Sequence, residues 1–431
     1  MLNKFIRHLL LLQLAIVALV FFANAQIQTD TVKLSINQVE DSFLKNNLQL
    51  IIQHYNIDNA QAQVITARLF PNPDFNVSTT LYNPTTKKYF DYSGGQDEYA
   101  GGFSQLFTTA GKRNKSIRLA KIGVEQAKYQ FFDLLRTLKF TLRNDFFSIY
   151  FQQQSEKVYN LEITSLADIL SAYKIQYAKG NIAQKELLRI QSQLYSLQAE
   201  LTNLQVGVDT TERQLKLLTR LNLNTYIEPQ FNYNLIDKET LESIPYQKLL
   251  DSAYNNRFDL KLSRLTVEYN NLNLKLQKAS AIPDITFSLG FDKRGSFVVN
   301  YNYLGLSLPI PIFNLNQGAI KQAKIAIDQS KFQLLNYQQL IESDISINYK
   351  VAGKYEKVYN DFDPQFRADF THLIQEVSKN YAKKNISLLS FLDFYESYRL
   401  NAILLNNIQL NRITSLEQLN FVTGTPFFNQ Q

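Results

Sequence analysis

The sequence predicts an α+β membrane protein with a trimeric 12-stranded β-barrel, four strands per chain, continued into water by long coiled-coil helices. Three observations predict this fold. The chain contains one large internal repeat, each copy contains two strands with an apolar and a polar face, and each copy continues into long heptad stripes. A duplicated strand pair followed by duplicated rods is typical of one pseudo-symmetric body rather than of separate domains.

The internal repeat is visible without gaps. Residues 41–50 read DSFLKNNLQL and residues 251–260 read DSAYNNRFDL, at an offset of 210. A second match, at an offset of 203, links residues 102–122 to residues 305–325. A unit of this length is far longer than the 20–50 residues of a solenoid repeat. We predict a first repeat over residues 26–220, a connecting equatorial segment over 221–245, a second repeat over 246–422 and a tail over 423–431.

Residues 1–25 have the pattern of a secretory signal peptide. Lys4 and Arg7 form the charged start, residues 9–22 are apolar, and Ala23-Asn24-Ala25 fits the cleavage rule. A membrane anchor is the alternative, but this apolar run is shorter than the roughly 20 residues that a spanning helix needs. Cleavage would leave Gln26 first and lower the formal net charge from +7 to +5 (7 − 2).

The composition excludes several classes of function. The chain has no cysteine, which excludes disulfides and a lipid-modified cysteine at the mature N-terminus. After cleavage only His54 and His372 remain, so no histidine cluster suits a metal. We find no nucleophile–base pair and no phosphate-binding glycine loop, and we predict neither catalysis nor a cofactor. Basic and acidic residues are mixed along the helices, which predicts a solvated surface and no nucleic-acid partner.

Each copy begins with a helix and a β-hairpin. Ser35 and Gln38 make a capping box, and the helix is predicted to run to about Leu69, before Pro71 and Pro73. The hairpins are predicted at about residues 74–107 and 284–308. A period of two gives each strand an apolar face for lipid and a polar face for a wet lumen, although a half-buried soluble sheet is the alternative. The predicted lumen residues are Asn76, Ser78, Thr80, Thr286 and Ser288.

The helices after each hairpin carry apolar stripes at heptad spacing. In the first copy the stripe runs from Ile117 to Leu138 with steps of three and four, and the second copy keeps the same register. This spacing is typical of a coiled-coil seam. A single rod over residues 113–175 would be about 95 Å long, roughly three times the hydrocarbon thickness of a bilayer, so it must stand in water. Pro364 is predicted to interrupt the equivalent helix of the second copy.

Two turns between the long helices lie at an equal offset of 204 and are predicted to meet at one tip. They span residues 177–183 and 381–387. Exposed side chains there could contact a partner protein, whereas the alternative is a simple helix-to-helix reversal. The candidate docking residues are Tyr177, Lys179, Gly180, Asn181, Ile182, Tyr381, Lys383, Asn385, Ile386 and Ser387.

Four strands with one greasy face leave two unpaired edges, which lipid does not tolerate. Closure therefore needs several chains, and three copies give twelve strands (3 × 4), an even number within the range of outer-membrane barrels. A strand barrel continuous with a helical barrel is a conduit. A secreted coiled-coil scaffold or adhesin is the alternative, but it does not explain the two greasy-faced hairpins.

At this point the sequence resembles the TolC-type outer-membrane efflux proteins over nearly all of its mature length. The Pro-Asn-Pro at 71–73 and the Thr-Ala-Gly-Lys-Arg at 109–113 look most like the branch that serves heavy-metal cation pumps. The residues that carry the resemblance are LSINQVEDSFLKNNLQL (34–50), RLFPNPDF (68–75), GGFSQLFTTAGKR (101–113) and LGLSLPIPIFNLNQG (304–318).

The resemblance implies a homotrimer in the outer membrane of a Gram-negative bacterium, with a tunnel of helices in the periplasm. It also implies a function: passive exit duct of a tripartite pump, docked on a periplasmic adaptor and served by an inner-membrane transporter of the resistance-nodulation-division type. The chain departs from the family pattern in its two turns. Gly180 is present but is followed by Ala183, whereas the second turn has Ser387 but Lys384.

Overall fold

The computed structural model describes residues 30–91, 98–233, 240–294, 298–363 and 365–429. The signal-peptide prediction therefore lies outside the described residues, as do parts of both hairpin loops and of the connecting segment. The helices are α1 (Ile36–Asn46), α2 (Leu48–Arg68), α3 (Lys112–Ala178), α4 (Gln184–Thr219), α5 (Tyr246–Asn256), α6 (Phe258–Ser280), α7 (Gln317–Asn360), α8 (Phe366–Ala382) and α9 (Leu388–Thr423). The strands are β1 (Thr31–Ser35), β2 (Asp74–Thr79), β3 (Tyr82–Asn83), β4 (Lys88–Tyr89), β5 (Tyr99–Phe107), β6 (Tyr226–Gln230), β7 (Ile285–Arg294) and β8 (Val299–Ser307).

Both predicted hairpins are present, and they join in one antiparallel sheet. Strand β2 pairs with β5 and strand β7 with β8, as the alternation indicates. Strand β5 also pairs with β7, with Phe103 opposite Leu289, so the sheet order is β2-β5-β7-β8. The sheet therefore ends in two unpaired edge strands, β2 and β8.

The first predicted helix is wrong in one respect, because it is two helices. Ser35 does form the capping box with Gln38, but α1 ends at Asn46. Asn47 has an extended backbone, its side chain accepts a hydrogen bond from the N–H of Leu50, and its amide donates to the carbonyl of Leu218 at 2.9 Å. Asn47 thus caps α2 and ties the bend to α4, a contact that the local pattern does not contain.

The long helices differ between the halves of the chain. Helix α3 is continuous over 67 residues, about 100 Å at 1.5 Å per residue. The corresponding stretch of the second half is divided, since α7 ends at Asn360 and α8 begins at Phe366. The break lies where Pro364 predicts it, although Pro364 itself is outside the described residues. None of the helices in the described part of the chain is long and apolar enough to cross a membrane.

The helices share three apolar cores, arranged along the rods. One core joins α1, α3, α4 and β6 around Phe43 and Phe146. A second joins α5, α6, α7 and α9 around Leu249 and Ile345, and it includes Phe428 of the tail. The third joins α3, α4, α8 and α9 close to the turns. The seam residues therefore bury apolar area, the main stabilising term of such rods.

Candidate functional site

The first turn, between α3 and α4, reverses the chain through a left-handed glycine. Gly180 has a φ of +75°, and its N–H donates to the carbonyl of Tyr177. The Asn181 N–H reaches back to the carbonyl of Gln176, and its side-chain amide donates to Gln176 Oε1 at 2.7 Å. Ala183 precedes α4 without a side-chain cap. This is the bonding pattern of a Schellman-type helix end, in which glycine avoids the steric cost of positive φ.

The second turn, between α8 and α9, has the same bonding pattern with different residues. Lys384 takes the left-handed position, at a φ of +64°. The Asn385 N–H donates to the carbonyl of Asn380 at 2.9 Å. Here α9 is capped, because Ser387 Oγ accepts a hydrogen bond from the N–H of Ser390 at 3.1 Å. The first turn therefore has the favourable glycine and lacks the cap, and the second turn has the reverse.

This exchange leads to a stability prediction for the turns. Lys384→Gly should stabilise the protein by about 1 kcal/mol, because it removes the left-handed strain of a residue with a Cβ. Ala183→Ser should also add about 1 kcal/mol by capping α4. The measurement is the free energy of unfolding from urea titration followed by circular dichroism. Lys383→Gly is the matched control, since Lys383 has a φ of −81° and no strain to relieve; an equal gain there would contradict the explanation.

The two turns lie side by side, and tyrosines join them. The hydroxyl of Tyr381 donates to that of Tyr173 at 2.8 Å, and its ring lies 4.5 Å from the ring of Phe391. Burial, together with this hydrogen bond, raises the pKa of the Tyr381 hydroxyl. Among the predicted docking residues, Tyr381, Ile182 and Ile386 are half-buried. The others are exposed: Tyr177, Lys179, Gly180, Asn181, Lys383, Asn385 and Ser387.

Above the turns, a buried arginine joins three long helices. Arg399 of α9 contacts Glu162 of α3 at 3.0 Å and Glu200 of α4 at 2.6 Å. The hydroxyl of Tyr159 donates to Glu200 at 3.1 Å. Burial raises the pKa of the Glu162 carboxyl to about 7, against the opposing effect of Arg399. These polar contacts fix the helix pairs relative to each other just above the exposed tip.

The sheet has one apolar and one polar face across all four strands. Residues opposite each other in an antiparallel pair share a face. Phe75, Phe103, Leu289 and Leu304 follow this rule on one face, and their side chains are exposed in the single chain. The predicted lumen residues Asn76, Ser78, Thr286 and Ser288 lie together on the other face. Thr80 follows the end of β2, and its N–H donates to the carbonyl of Glu98.

The sequence prediction missed two members of the polar face. Tyr301 and Tyr303 of β8 lie opposite Asp292 and Gly290, on the side of Ser288 and not of the apolar residues. The odd-numbered stripe of β8 is thus aromatic yet belongs to the polar face. The small residue at 290 is the signal that could have shown this, because a glycine in a strand often marks the close approach of another group.

The sheet is joined to the helices by a charged contact. Lys112, at the start of α3, lies 2.7 Å from Asp284, which immediately precedes β7. The carboxylate of Asp284 also accepts a hydrogen bond from the N–H of Thr109 at 2.8 Å. Arg113 covers the ring of Phe70 at 4.0 Å. The basic cluster after β5 therefore fixes the angle between the sheet and the rods of one chain.

Residues 39–219 match the model of a family described as outer membrane efflux protein. The chain belongs to this family. It is an outer-membrane protein, and its helical part lies in the periplasm. A curated relative, the cobalt-zinc-cadmium resistance protein CzcC of Cupriavidus metallidurans, is 23% identical over 292 residues. That match covers 66% of this chain and 65% of the relative, slightly less than two thirds of its length.

Solved structures of outer-membrane channels have the same fold as this efflux protein. The CmeC channel of Campylobacter jejuni aligns over 92% of this chain and 87% of its own, with a TM-score of 0.73 and 16% identity. VceC of Vibrio cholerae aligns over 91% of this chain and 96% of its own, with a TM-score of 0.69 and 15% identity. The predicted TolC-type architecture, a β-domain continued by a helical barrel, is confirmed.

One buried carboxylate of the efflux protein leads to a prediction of pH dependence. Burial raises the pKa of Asp145 on α3 to about 7, and its Oδ2 has no hydrogen-bond partner among the described residues. In the unfolded chain this pKa is about 3.9. The folded state therefore binds more protons between these values, so stability falls as the pH rises from about 4 to about 7.

Asp145→Asn should remove this dependence. The variant should unfold at a higher temperature than wild type at pH 8, and the difference should shrink toward pH 5, where wild-type Asp145 becomes protonated. Thermal unfolding at several pH values measures it. Asp209→Asn, at an exposed position of α4, is the control and should leave the pH profile unchanged. A constant difference at all pH values would sink the assignment.

Proposed function

We propose that this chain forms, as a homotrimer, the outer-membrane exit channel of a tripartite efflux system. One observation carries the proposal: a single chain joins a sheet with one apolar face to helical rods about 100 Å long. Its family is one of channels and not of enzymes, and we assign no catalytic step to it.

The edges of the sheet support a trimer. Strands β2 and β8 are unpaired in the single chain, and unpaired backbone groups in lipid cost several kcal/mol each. Pairing β8 of each copy with β2 of the next satisfies both edges at once. Three copies give twelve strands (3 × 4), with Phe75, Phe103, Leu289 and Leu304 facing lipid and Asn76, Ser78, Thr80, Thr286 and Ser288 facing the lumen.

The exposed turns are the docking surface for a periplasmic adaptor in this proposal. They lie at the end of the rods away from the sheet, and their exposed side chains include Lys179, Asn181, Lys383 and Asn385. The adaptor would link the channel to an inner-membrane pump of the resistance-nodulation-division type. The printed name of the relative CzcC concerns resistance to cobalt, zinc and cadmium, which favours heavy-metal cations as the cargo.

The test is growth and export in the source organism. Deletion of the gene should lower the tolerated concentration of cobalt, zinc or cadmium and raise the intracellular metal content, and the gene on a plasmid should restore both. The purified protein should migrate as a heat-stable trimer and conduct ions across a planar bilayer. A monomer that stays dissolved without detergent and never conducts would instead indicate the secreted scaffold.

A further inference from the structure

One row of residues crosses the polar face of the sheet, and its two central members are glycines. Asn76 lies opposite Gly102, Gly102 opposite Gly290, and Gly290 opposite Tyr303. The row thus takes one residue from each of β2, β5, β7 and β8. Strand side chains usually stand roughly perpendicular to the sheet. In this row the outer two side chains lean inward and cover the bare central positions.

Tyr303 lies flat along the sheet. A Cβ built on Gly290 would lie 2.5 Å from its ring atoms Cε1 and Cζ and from its hydroxyl, and a Cβ on Gly102 would lie 3.4 Å from the same hydroxyl. Neighbouring strands are about 4.8 Å apart, so the side chain extends from β8 across β7 toward β5. The ring of Tyr301 is nearly parallel to that of Tyr303, at 19° with centroids 5.9 Å apart.

From the other side, Asn76 occupies the remaining glycine. A Cβ on Gly102 would lie 2.6 Å from Asn76 Oδ1. Both glycines are therefore needed for close approach of a side chain, which is a recognised reason for glycine within a strand. Neither has a positive φ, so backbone conformation does not explain them.

We propose that Tyr303 lines the lumen as a flat aromatic surface and that Gly290 and Gly102 set the width of the channel at this row by letting it lie against the wall. The inference rests on the proposed function, because it takes the polar face as the lumen. A methyl group at 290 lifts the ring off the sheet, and three copies of the lifted ring narrow the passage. Tyr303 is then a size-selecting residue of the channel, with an aromatic face toward passing solutes.

The first test is single-channel conductance of the trimer in planar bilayers of phosphatidylethanolamine and phosphatidylglycerol. Gly290→Ala should lower the conductance, and Gly290→Ala with Tyr303→Ala should restore or exceed the wild-type value. Gly101→Ala is the matched control: a Cβ there meets Phe291 at 2.7 Å, but on the apolar face, so the conductance should stay unchanged. Equal conductance of Gly290→Ala and Gly101→Ala would overturn the inference. A wild-type trimer that does not conduct would count against the proposed function.

The second test does not depend on conduction. The chain has no tryptophan, so Tyr303→Trp places a single fluorophore at this position. In vesicles, its emission should be quenched by aqueous iodide, and Phe291→Trp should be quenched by brominated lipid. Adding Gly290→Ala to Tyr303→Trp should increase iodide quenching as the indole leaves the wall, whereas adding Gly101→Ala should not. Quenching of Tyr303→Trp by brominated lipid, or no change on adding Gly290→Ala, would overturn the inference.

Discussion

Arg412→Leu is expected to destabilise the folded protein by about 3–5 kcal/mol, because it leaves a carboxylate buried without its counter-charge. Arg412 is 1% exposed, and its Nε donates to Glu356 at 2.8 Å. Its guanidinium lies 4.6 Å from the ring centroid of Tyr359 and also donates to the Tyr233 hydroxyl. The arginine therefore joins α9 to α7 and to the connecting segment in the middle of the chain.

The midpoint of urea unfolding, followed by circular dichroism, measures this loss. The double variant Arg412→Leu, Glu356→Leu should recover part of it, since no unpaired charge remains buried. The surface pair Lys331–Asp328 is the matched control. Its side chains are more than half exposed, so Lys331→Leu should change the stability by less than about 1 kcal/mol. A small effect at Arg412, equal to that of Lys331→Leu, would show that the buried pair has no special weight.

Gly180→Glu is expected to abolish export while leaving the trimer intact. The position has nothing within 4 Å of a built Cβ, so the new side chain extends into solvent at the tip. Lys384 shows that the equivalent position of the second turn holds a long side chain in the same left-handed conformation. The loss should therefore come from a carboxylate on the docking surface and not from misfolding. Ile386→Glu is expected to act in the same way.

Metal tolerance of complemented cells measures export, and gel migration of heat-stable trimers measures assembly. Gly318→Glu adds the same charge at an open position near the start of α7, far along the chain from the turns, and should export normally. Cross-linking to the adaptor should be lost for Gly180→Glu only. Normal metal tolerance of Gly180→Glu would remove the docking proposal and leave the channel proposal standing.

Local patterns in the sequence predicted the elements of this fold better than their arrangement. The alternation around Phe287 predicted both the strand and its apolar face, because a period of two depends only on neighbouring residues. The pairing of β5 with β7 depends on contacts nearly 200 residues apart, and no local pattern specifies it. The break at Asn47 was missed for the same reason, since the carbonyl that holds its side chain belongs to Leu218.

The candidate site divides in the same way. Both turns were located from the sequence, because Gly180 and the offset of 204 mark them. The roles of Tyr381 and Tyr303 were not, since each depends on a partner from another part of the chain, Tyr173 or Gly290. The docking and lumen assignments stay predictions, and the variants above test them.

The parallel pair of β1 and β6 has a consequence for biogenesis. Thr31 pairs with Tyr226, 195 residues later (226 − 31), so β1 has no partner until the first half of the chain has been synthesised and exported. Closing so long a loop carries an entropic cost before the contact forms. The amino-terminal strand therefore stays open in the periplasm during translocation, where a holdase that binds extended apolar segments would meet it first.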